Sequence, residues 1–85
     1  MELTDYRAQI DALDLQLTDL FRQRMALCAA IGTYKRAHEL PIFQPEREAQ
    51  KLRVLEQAVP EELRGELRAL YALLFALSRA KQEEE

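Results

Sequence analysis

The sequence predicts an all-α fold of three helices, one long and two shorter, in a single domain of residues 1–85. The chain contains only two glycines and three prolines. No run of residues alternates apolar and polar side chains as a half-buried strand requires, whereas apolar residues recur at spacings of three and four. These observations favour amphipathic helices that pack against one another.

The first helix is predicted over about residues 4–37. Thr4 is the expected N-cap, with Asp5 in the first turn, and Lys35 places positive charge near the C-terminal end of the helix dipole. A helix of this length is roughly 50 Å long, which exceeds what two shorter helices can cover. We therefore expect an intertwined helical homodimer. Gly32 is expected to allow one close backbone approach.

A loop over residues 38–44 separates this helix from a second one, predicted over about 45–59. Pro45 suits the first helical position, and acidic residues follow it in the first turn. The third helix is predicted over about 61–82, directly after Pro60. Its expected buried face is the leucine stripe Leu63, Leu67, Leu70, Leu74 and Leu77.

Composition and charge exclude several classes of function. The net charge of −3 argues against a basic surface for nucleic acid. Cys28 is the only cysteine and His38 the only histidine, so we expect no internal disulfide, no metal site and no metal cofactor. The lack of a possible internal disulfide favours a reducing setting, so the expected location is the cytoplasm. No signal-peptide pattern and no stretch long enough to cross a bilayer is evident.

Arg24 interrupts the apolar stripe of the first helix. A cation in a water-poor position costs free energy unless an anionic group meets it. Taken alone, an arginine at such a position more often specifies a partner or reaches solvent than binds a ligand. The other members of the stripe are apolar or aromatic: Leu3, Tyr6, Ile10, Leu13, Leu17, Leu20, Leu27, Ile31 and Tyr34.

Polar residues also interrupt the stripes of the other two helices. Glu48 is in line with apolar residues of the second helix, and Ser78 and Gln82 continue an aromatic face of the third. Lys35 lies on nearly the same side of the first helix as Arg24, about 16 Å further along its axis. Each residue has an ordinary structural explanation, as a dipole partner or a solvated side chain. Together they predict a binding site for a small anion.

The residue types present favour electrostatic catalysis. No serine–histidine or cysteine–histidine arrangement, phosphate loop or cluster of metal ligands is evident. Fixed cations suit a small dicarboxylate, whose reactive conformer they would hold while stabilising negative charge in the transition state. Arg7 lies about 25 Å from Arg24 along the helix. It is therefore either an exposed arginine or a contribution from a second subunit.

The order and spacing of these residues resemble the all-helical chorismate mutases over nearly the whole chain. The resemblance implies an intertwined dimer of three-helix chains that converts chorismate to prephenate, in phenylalanine and tyrosine biosynthesis, by a Claisen rearrangement without a cofactor. It leaves open an association with another enzyme of the shikimate pathway. The matching segments are Arg7, Ile10 to Asp14, Leu20 to Arg24, Ile31 to Lys35, Leu40 to Glu48, and Ser78 with Gln82.

The resemblance implies a role for each matching polar residue. Arg24 and Arg47, with Arg7 from the partner subunit, would bind the two carboxylates of the substrate, helped by Ser78. These four residues are the expected carboxylate-binding group.

Lys35 and Gln82 would face the ether oxygen of the substrate, and Glu48 would accept a hydrogen bond from its ring hydroxyl. Gln44 stands where many relatives have aspartate, so it would bind through its side chain or only through its backbone. The expected catalytic residues are Lys35, Gln82, Glu48 and Arg24.

Two other functions are compatible with this fold. An isochorismate pyruvate-lyase shares most of the cations, although the segment 45–48, with its second glutamate, looks more like a mutase. A non-catalytic regulatory or dimerisation module is the other alternative. Loss of Lys35, Glu48 or Gln82 would favour that module, and all three residues are present.

Overall fold

The computed structural model describes residues 2–84 and contains three α-helices. They are α1 (Leu3–Ala37), α2 (Pro45–Glu56) and α3 (Arg64–Glu83), the last preceded by a short 3-10 helix at Glu61–Leu63. No strand occurs in the described part of the chain. The predicted all-α class, with one long and two shorter helices, is therefore confirmed. None of the helices in residues 2–84 combines the length and the apolar character needed to span a membrane.

The start of α1 differs slightly from the prediction. The N-cap is Glu2, whose backbone is extended, and the predicted cap at Thr4 is wrong because that residue is already helical. The Asp5 carboxylate accepts a hydrogen bond from the Glu2 backbone N–H at 3.0 Å. Asp5 therefore satisfies one of the donor groups that the first helical turn leaves without a backbone partner.

The predicted end of α2 is also wrong, because the helix stops at Glu56. The backbone N–H groups of Gln57 and Ala58 each donate to a carbonyl three residues earlier, at 3.2 and 2.9 Å, so the helix tightens into a turn. Arg64 Nε donates to the Glu56 carbonyl oxygen at 2.9 Å. The chain thus leaves the helix well before Pro60, a residue that disfavours helical backbone in the position preceding it.

The face of α3 that is buried in the chain is not the predicted leucine stripe. Leu63 and Leu70 are 47% and 50% exposed. Phe75, Ser78 and Gln82 are buried instead. The stripe with the aromatic and polar residues therefore faces the inside of the chain, and the prediction that the leucine stripe forms the buried face is wrong for the single chain.

A single chain has almost no apolar core of its own. Among residues 2–84 the buried hydrophobic side chains are those of Cys28 and Phe75. The molecule measures 54 × 27 × 15 Å, and its radius of gyration is 15.9 Å, against about 12 Å for a compact domain of this length. The nine apolar members of the α1 stripe are all between 43% and 65% exposed: Leu3, Tyr6, Ile10, Leu13, Leu17, Leu20, Leu27, Ile31 and Tyr34. An apolar face of this extent is typical of an interaction surface.

Gly32 is buried where α1 packs against α3. A Cβ atom on Gly32 would lie 2.7 Å from Cα of Gln82 and 2.8 Å from its carbonyl carbon, well inside contact distance. Because the obstacle is backbone, no rotamer change can relieve the clash. The predicted close backbone approach at Gly32 is confirmed, and it brings Gln82 directly against α1.

Replacing Gly32 with alanine should lower the stability of the protein. Overpacking typically costs about 1–3 kcal/mol, which outweighs the gain of about 1 kcal/mol from replacing glycine inside a helix. The matched control is Gly65→Ala, since a Cβ there meets nothing within 4 Å. Thermal unfolding followed by circular dichroism should give a lower Tm for Gly32→Ala and an unchanged or higher Tm for Gly65→Ala. Equal melting temperatures for the two variants would contradict the tight contact.

Candidate active site

A cavity of about 280 Å³ lies where α1, α2, α3 and the loop before α2 converge. Its walls combine charged and polar side chains with the apolar side chains of Ile31, Ile42 and Phe75. Seven of the eight residues that the sequence predicts for the site line this one cavity: Arg24, Lys35, Gln44, Arg47, Glu48, Ser78 and Gln82. Residues that are far apart in the sequence thus line the same cavity.

Arg24 extends from α1 and is held by α3. Its Nη1 donates to the Ser78 hydroxyl and, at 3.5 Å, to the Leu74 carbonyl oxygen. The Ser78 hydroxyl in turn donates to the same carbonyl at 2.6 Å, and the guanidinium lies 6.0 Å from the centre of the Tyr71 ring. None of the ion pairs in residues 2–84 involves Arg24. Its charge is therefore oriented by neutral groups and left available to an anion that enters the cavity.

Lys35 links α1 to α3 and to the loop before α2. Its Nζ donates to Gln82 Oε1 at 2.7 Å and to the Ile42 carbonyl oxygen at 3.0 Å. Since an ammonium group only donates, the Gln82 oxygen accepts this bond and the Gln82 NH₂ group remains a donor. Gln82 is only 8% exposed, and Arg36 Nη1 donates to its backbone carbonyl at 2.7 Å. An ammonium and an amide donor therefore lie side by side in a water-poor position.

Glu48 is bound by a residue that the sequence did not predict for the site. Nη1 of Arg79 lies 2.6 Å from both carboxylate oxygens of Glu48. The guanidinium of Arg79 also lies 4.9 Å from the centre of the Phe43 ring. The spacing contained a signal for this contact, because Arg79 follows Phe75 by four residues and precedes Gln82 by three, which puts all three on one helix face.

Positive charge is concentrated at the cavity although the chain as a whole has a net charge of −3. Four basic side chains and one acidic side chain line it, and the acidic one, Glu48, is already paired with Arg79. Lys51 is the basic residue that the sequence did not predict; it follows Arg47 by four residues, so a helical face shared with Arg47 was the available signal. A cavity with this balance suits a ligand with more than one negative charge.

Arg7 is the predicted site residue that the single chain does not bring to the cavity. It is exposed near the start of α1 and is not among the lining residues. The helical rise of about 1.5 Å per residue separates it from Arg24 by about 25 Å along α1. Arg7 can therefore reach this cavity only from a second copy of the chain.

The arrangement can bind a small polyanion and stabilise developing negative charge. Arg24, Lys35 and Gln82 supply donors that hydrogen bonds hold in place, and their partial or full burial strengthens the electrostatic effect of these groups. No group of three or more histidine, cysteine, aspartate or glutamate side chains within residues 2–84 is arranged to hold a metal ion. Conformer binding and electrostatic stabilisation are the chemistry for which the described residues are suited.

Comparison with known proteins assigns the chain to a family. The family model for chorismate mutase type II matches residues 6–83. The T-protein of Haemophilus influenzae is 36% identical over 82% of this chain and 21% of that protein. The T-protein of Enterobacter agglomerans is 49% identical over 60% of this chain and 14% of that protein. The 4-amino-4-deoxychorismate mutase of Streptomyces pristinaespiralis is 50% identical over 52% of this chain and 34% of that protein.

The aligned region spans between 14% and 34% of the length of these three relatives. No solved structure matches the chain. The family model, in contrast, covers nearly all of the sequence, including every residue that lines the cavity. The chain belongs to the chorismate mutase type II family.

Proposed function

We propose that this protein is a chorismate mutase, which rearranges chorismate to prephenate. The observation that supports this function most strongly is the cavity that joins Arg24, Lys35 and Gln82, with two further cations at its wall. Chorismate is a dianion with an ether oxygen between its ring and its enolpyruvyl side chain. A site of fixed cations and donors matches both features of this molecule.

The carboxylates of chorismate would be bound by arginines. Arg24, oriented by Ser78, and Arg47 on α2 are supplied by one chain. Arg7 of the second subunit would complete the group. Such contacts hold the side chain of the substrate over its ring, which is the geometry that the rearrangement needs.

The reaction is one unimolecular step, in which the ether C–O bond breaks while a C–C bond forms. Electron density grows on the ether oxygen as its bond to the ring breaks. The Lys35 ammonium and the Gln82 NH₂ group would donate to this oxygen, and one well-aimed donor typically contributes about 3 to 4 kcal/mol in the transition state. No bond to the protein forms and no proton is transferred, so this mechanism requires no cofactor.

Glu48 would accept a hydrogen bond from the ring hydroxyl of chorismate, and Gln44 lies nearby in the cavity wall. Gln44 is the N-cap of α2, and its carbonyl oxygen accepts the Glu48 backbone N–H at 3.2 Å. The contribution of Gln44 would be a hydrogen bond from its side-chain amide or from its backbone.

The active form that we propose is an intertwined homodimer. The exposed α1 stripe and the thin, elongated chain support it, because a monomer would leave this apolar face in water. We further propose that the enzyme acts in phenylalanine and tyrosine biosynthesis in the cytoplasm. An association with another enzyme of the shikimate pathway is compatible with this role.

A second candidate substrate is 4-amino-4-deoxychorismate, because the relative from Streptomyces pristinaespiralis is named for it. By its name, this molecule differs from chorismate at one ring position, where an amine replaces the hydroxyl. The same rearrangement applies to both molecules. Discrimination between them therefore depends on the charges and hydrogen-bonding groups around this ring position.

The purified protein should convert chorismate to prephenate without added metal or cofactor and in the presence of a chelator. Liquid chromatography of the product is the measurement, and heat-denatured protein is the control for the uncatalysed reaction. Release of pyruvate from isochorismate, with chorismate left unchanged, would favour a lyase instead. Binding of either compound without conversion would favour a regulatory module.

A further inference from the structure

Glu48 and Gln44 form what we call the ring-hydroxyl subsite, and its electrostatics depend on a residue outside the cavity wall. Arg79 projects from α3 and pairs with Glu48 on α2. Resting on the proposed function, we propose that Arg79 determines substrate specificity, by making this subsite select a neutral hydroxyl over a cationic amino group on the ring.

Arg79 compensates the charge of Glu48 inside the protein. A single nitrogen, Nη1, lies 2.6 Å from each carboxylate oxygen, so the positive charge sits symmetrically on the carboxylate. The Arg79 and Glu48 side chains are only 31% and 23% exposed, which limits screening of the pair by water. Each carboxylate oxygen keeps a lone pair with which it can accept a hydrogen bond from a hydroxyl.

The position of Arg79 is stabilised by more than its ion pair. Its guanidinium carbon lies 4.9 Å from the centre of the Phe43 ring, in the loop that precedes α2. A guanidinium in this position is attracted by the negative face of the ring. Because the same side chain contacts Phe43 and Glu48, it stays close to the subsite when a ligand enters.

The ring-hydroxyl subsite offers no unpaired negative charge to a protonated amino substituent, because Arg79 is already paired with Glu48. A primary alkyl amine is protonated at neutral pH, and the negative charge it would need at Glu48 is already paired. Gln44 has a neutral amide, while Arg47 and Lys51 add positive charge to the same wall. A hydroxyl can donate to Glu48 without meeting this repulsion, so the two substrates are discriminated by charge.

The test compares kcat/KM for chorismate and for 4-amino-4-deoxychorismate in the full chain. The wild-type protein should prefer chorismate, and Arg79→Leu should shift the ratio towards the amino substrate by about tenfold or more, as expected when a close like charge is removed. Arg79→Lys should keep the preference, because it keeps the charge. If Arg79→Leu does not fold, Arg79→Gln removes the same charge with a polar side chain and should shift the ratio in the same direction.

The matched control is Arg68→Leu. Arg68 also lies on α3 and pairs with a glutamate of α2, Glu56, at 2.6 Å. Neither Arg68 nor Glu56 lines the cavity. This variant loses the same charge and the same kind of ion pair, and its substrate ratio should match the wild type.

A wild-type preference for the amino substrate would overturn the proposed role of Arg79. A ratio that stays within about twofold of wild type in the folded Arg79→Leu or Arg79→Gln protein would do the same, since removal of a close charge should change it by about tenfold. Turnover of neither substrate by the wild type would overturn the proposed function as well. The two failures can therefore be distinguished. If only the role of Arg79 is wrong, the wild type turns over chorismate normally and the ratio of the two kcat/KM values does not change in the charge-removing variants.

Discussion

Replacing Lys35 with alanine should lower kcat for chorismate by about 100-fold or more, which corresponds to about 3 kcal/mol. The ammonium would be lost as a donor to the ether oxygen. Its hydrogen bond to Gln82 Oε1, which leaves the Gln82 NH₂ group free to donate, would be lost as well. Steady-state kinetics should therefore show a larger effect on kcat than on KM, because both donors act mainly in the transition state.

Lys81→Ala is the matched control for this variant. Lys81 is also half-buried, but it pairs with Glu84 at 2.7 Å and does not line the cavity. Its removal should leave kcat within about twofold of wild type, as is usual for a surface ion pair. If the folded Lys35→Ala protein turns over chorismate at a near-normal rate, Lys35 has no part in the mechanism.

Mixed dimers of an Arg7→Ala chain and an Arg24→Ala chain should regain activity that neither homodimer has. Each homodimer should lose about 30-fold or more, since an unpaired substrate charge in a buried site costs about 2 kcal/mol or more. In a heterodimer one site lacks both arginines and the other has both. Purified heterodimers should therefore have about half of the wild-type activity, and an unpurified random mixture about a quarter.

The measurement requires refolding of the mixed chains, purification of heterodimers with two affinity tags, and a chorismate assay. Mixing Arg24→Ala with Lys35→Ala is the control, because both residues line the cavity of their own chain and no heterodimer site is then intact. Activity in verified Arg7/Arg24 heterodimers that is no higher than in this control would mean that Arg7 does not cross the interface.

Much of the fold follows from local patterns that a sequence displays directly. The three-and-four spacing of apolar residues predicted α1 and its end at Ala37, since periodicity and dipole charges act within one helix. Gly32 was predicted as a point of close approach, and its contact with the Gln82 backbone confirms it. The helix ends were less predictable, because they depend on side-chain geometry. At the start of α1 the Asp5 carboxylate accepts a hydrogen bond from the Glu2 backbone, and at the end of α2 the Arg64 side chain donates one to the Glu56 carbonyl oxygen.

The buried face of α3 illustrates what spacing cannot decide. That helix has two stripes with helical spacing, and the leucine stripe is the more apolar one. The chain buries the stripe of Phe75, Ser78 and Gln82 instead, because this face meets α1 at Gly32. The leucine residues that remain exposed in one chain, such as Leu70, are available to a second copy.

The sequence by itself determined the all-α class, the family, and the polar residues that interrupt the apolar stripes. Their residue types are chemically unusual for a stripe, so they are visible without a structure. Only the tertiary structure decided that seven of the eight predicted site residues share one cavity and that Arg79 neutralises Glu48. Those relations join residues of different helices, across distances that are set by helix packing rather than by spacing along one chain.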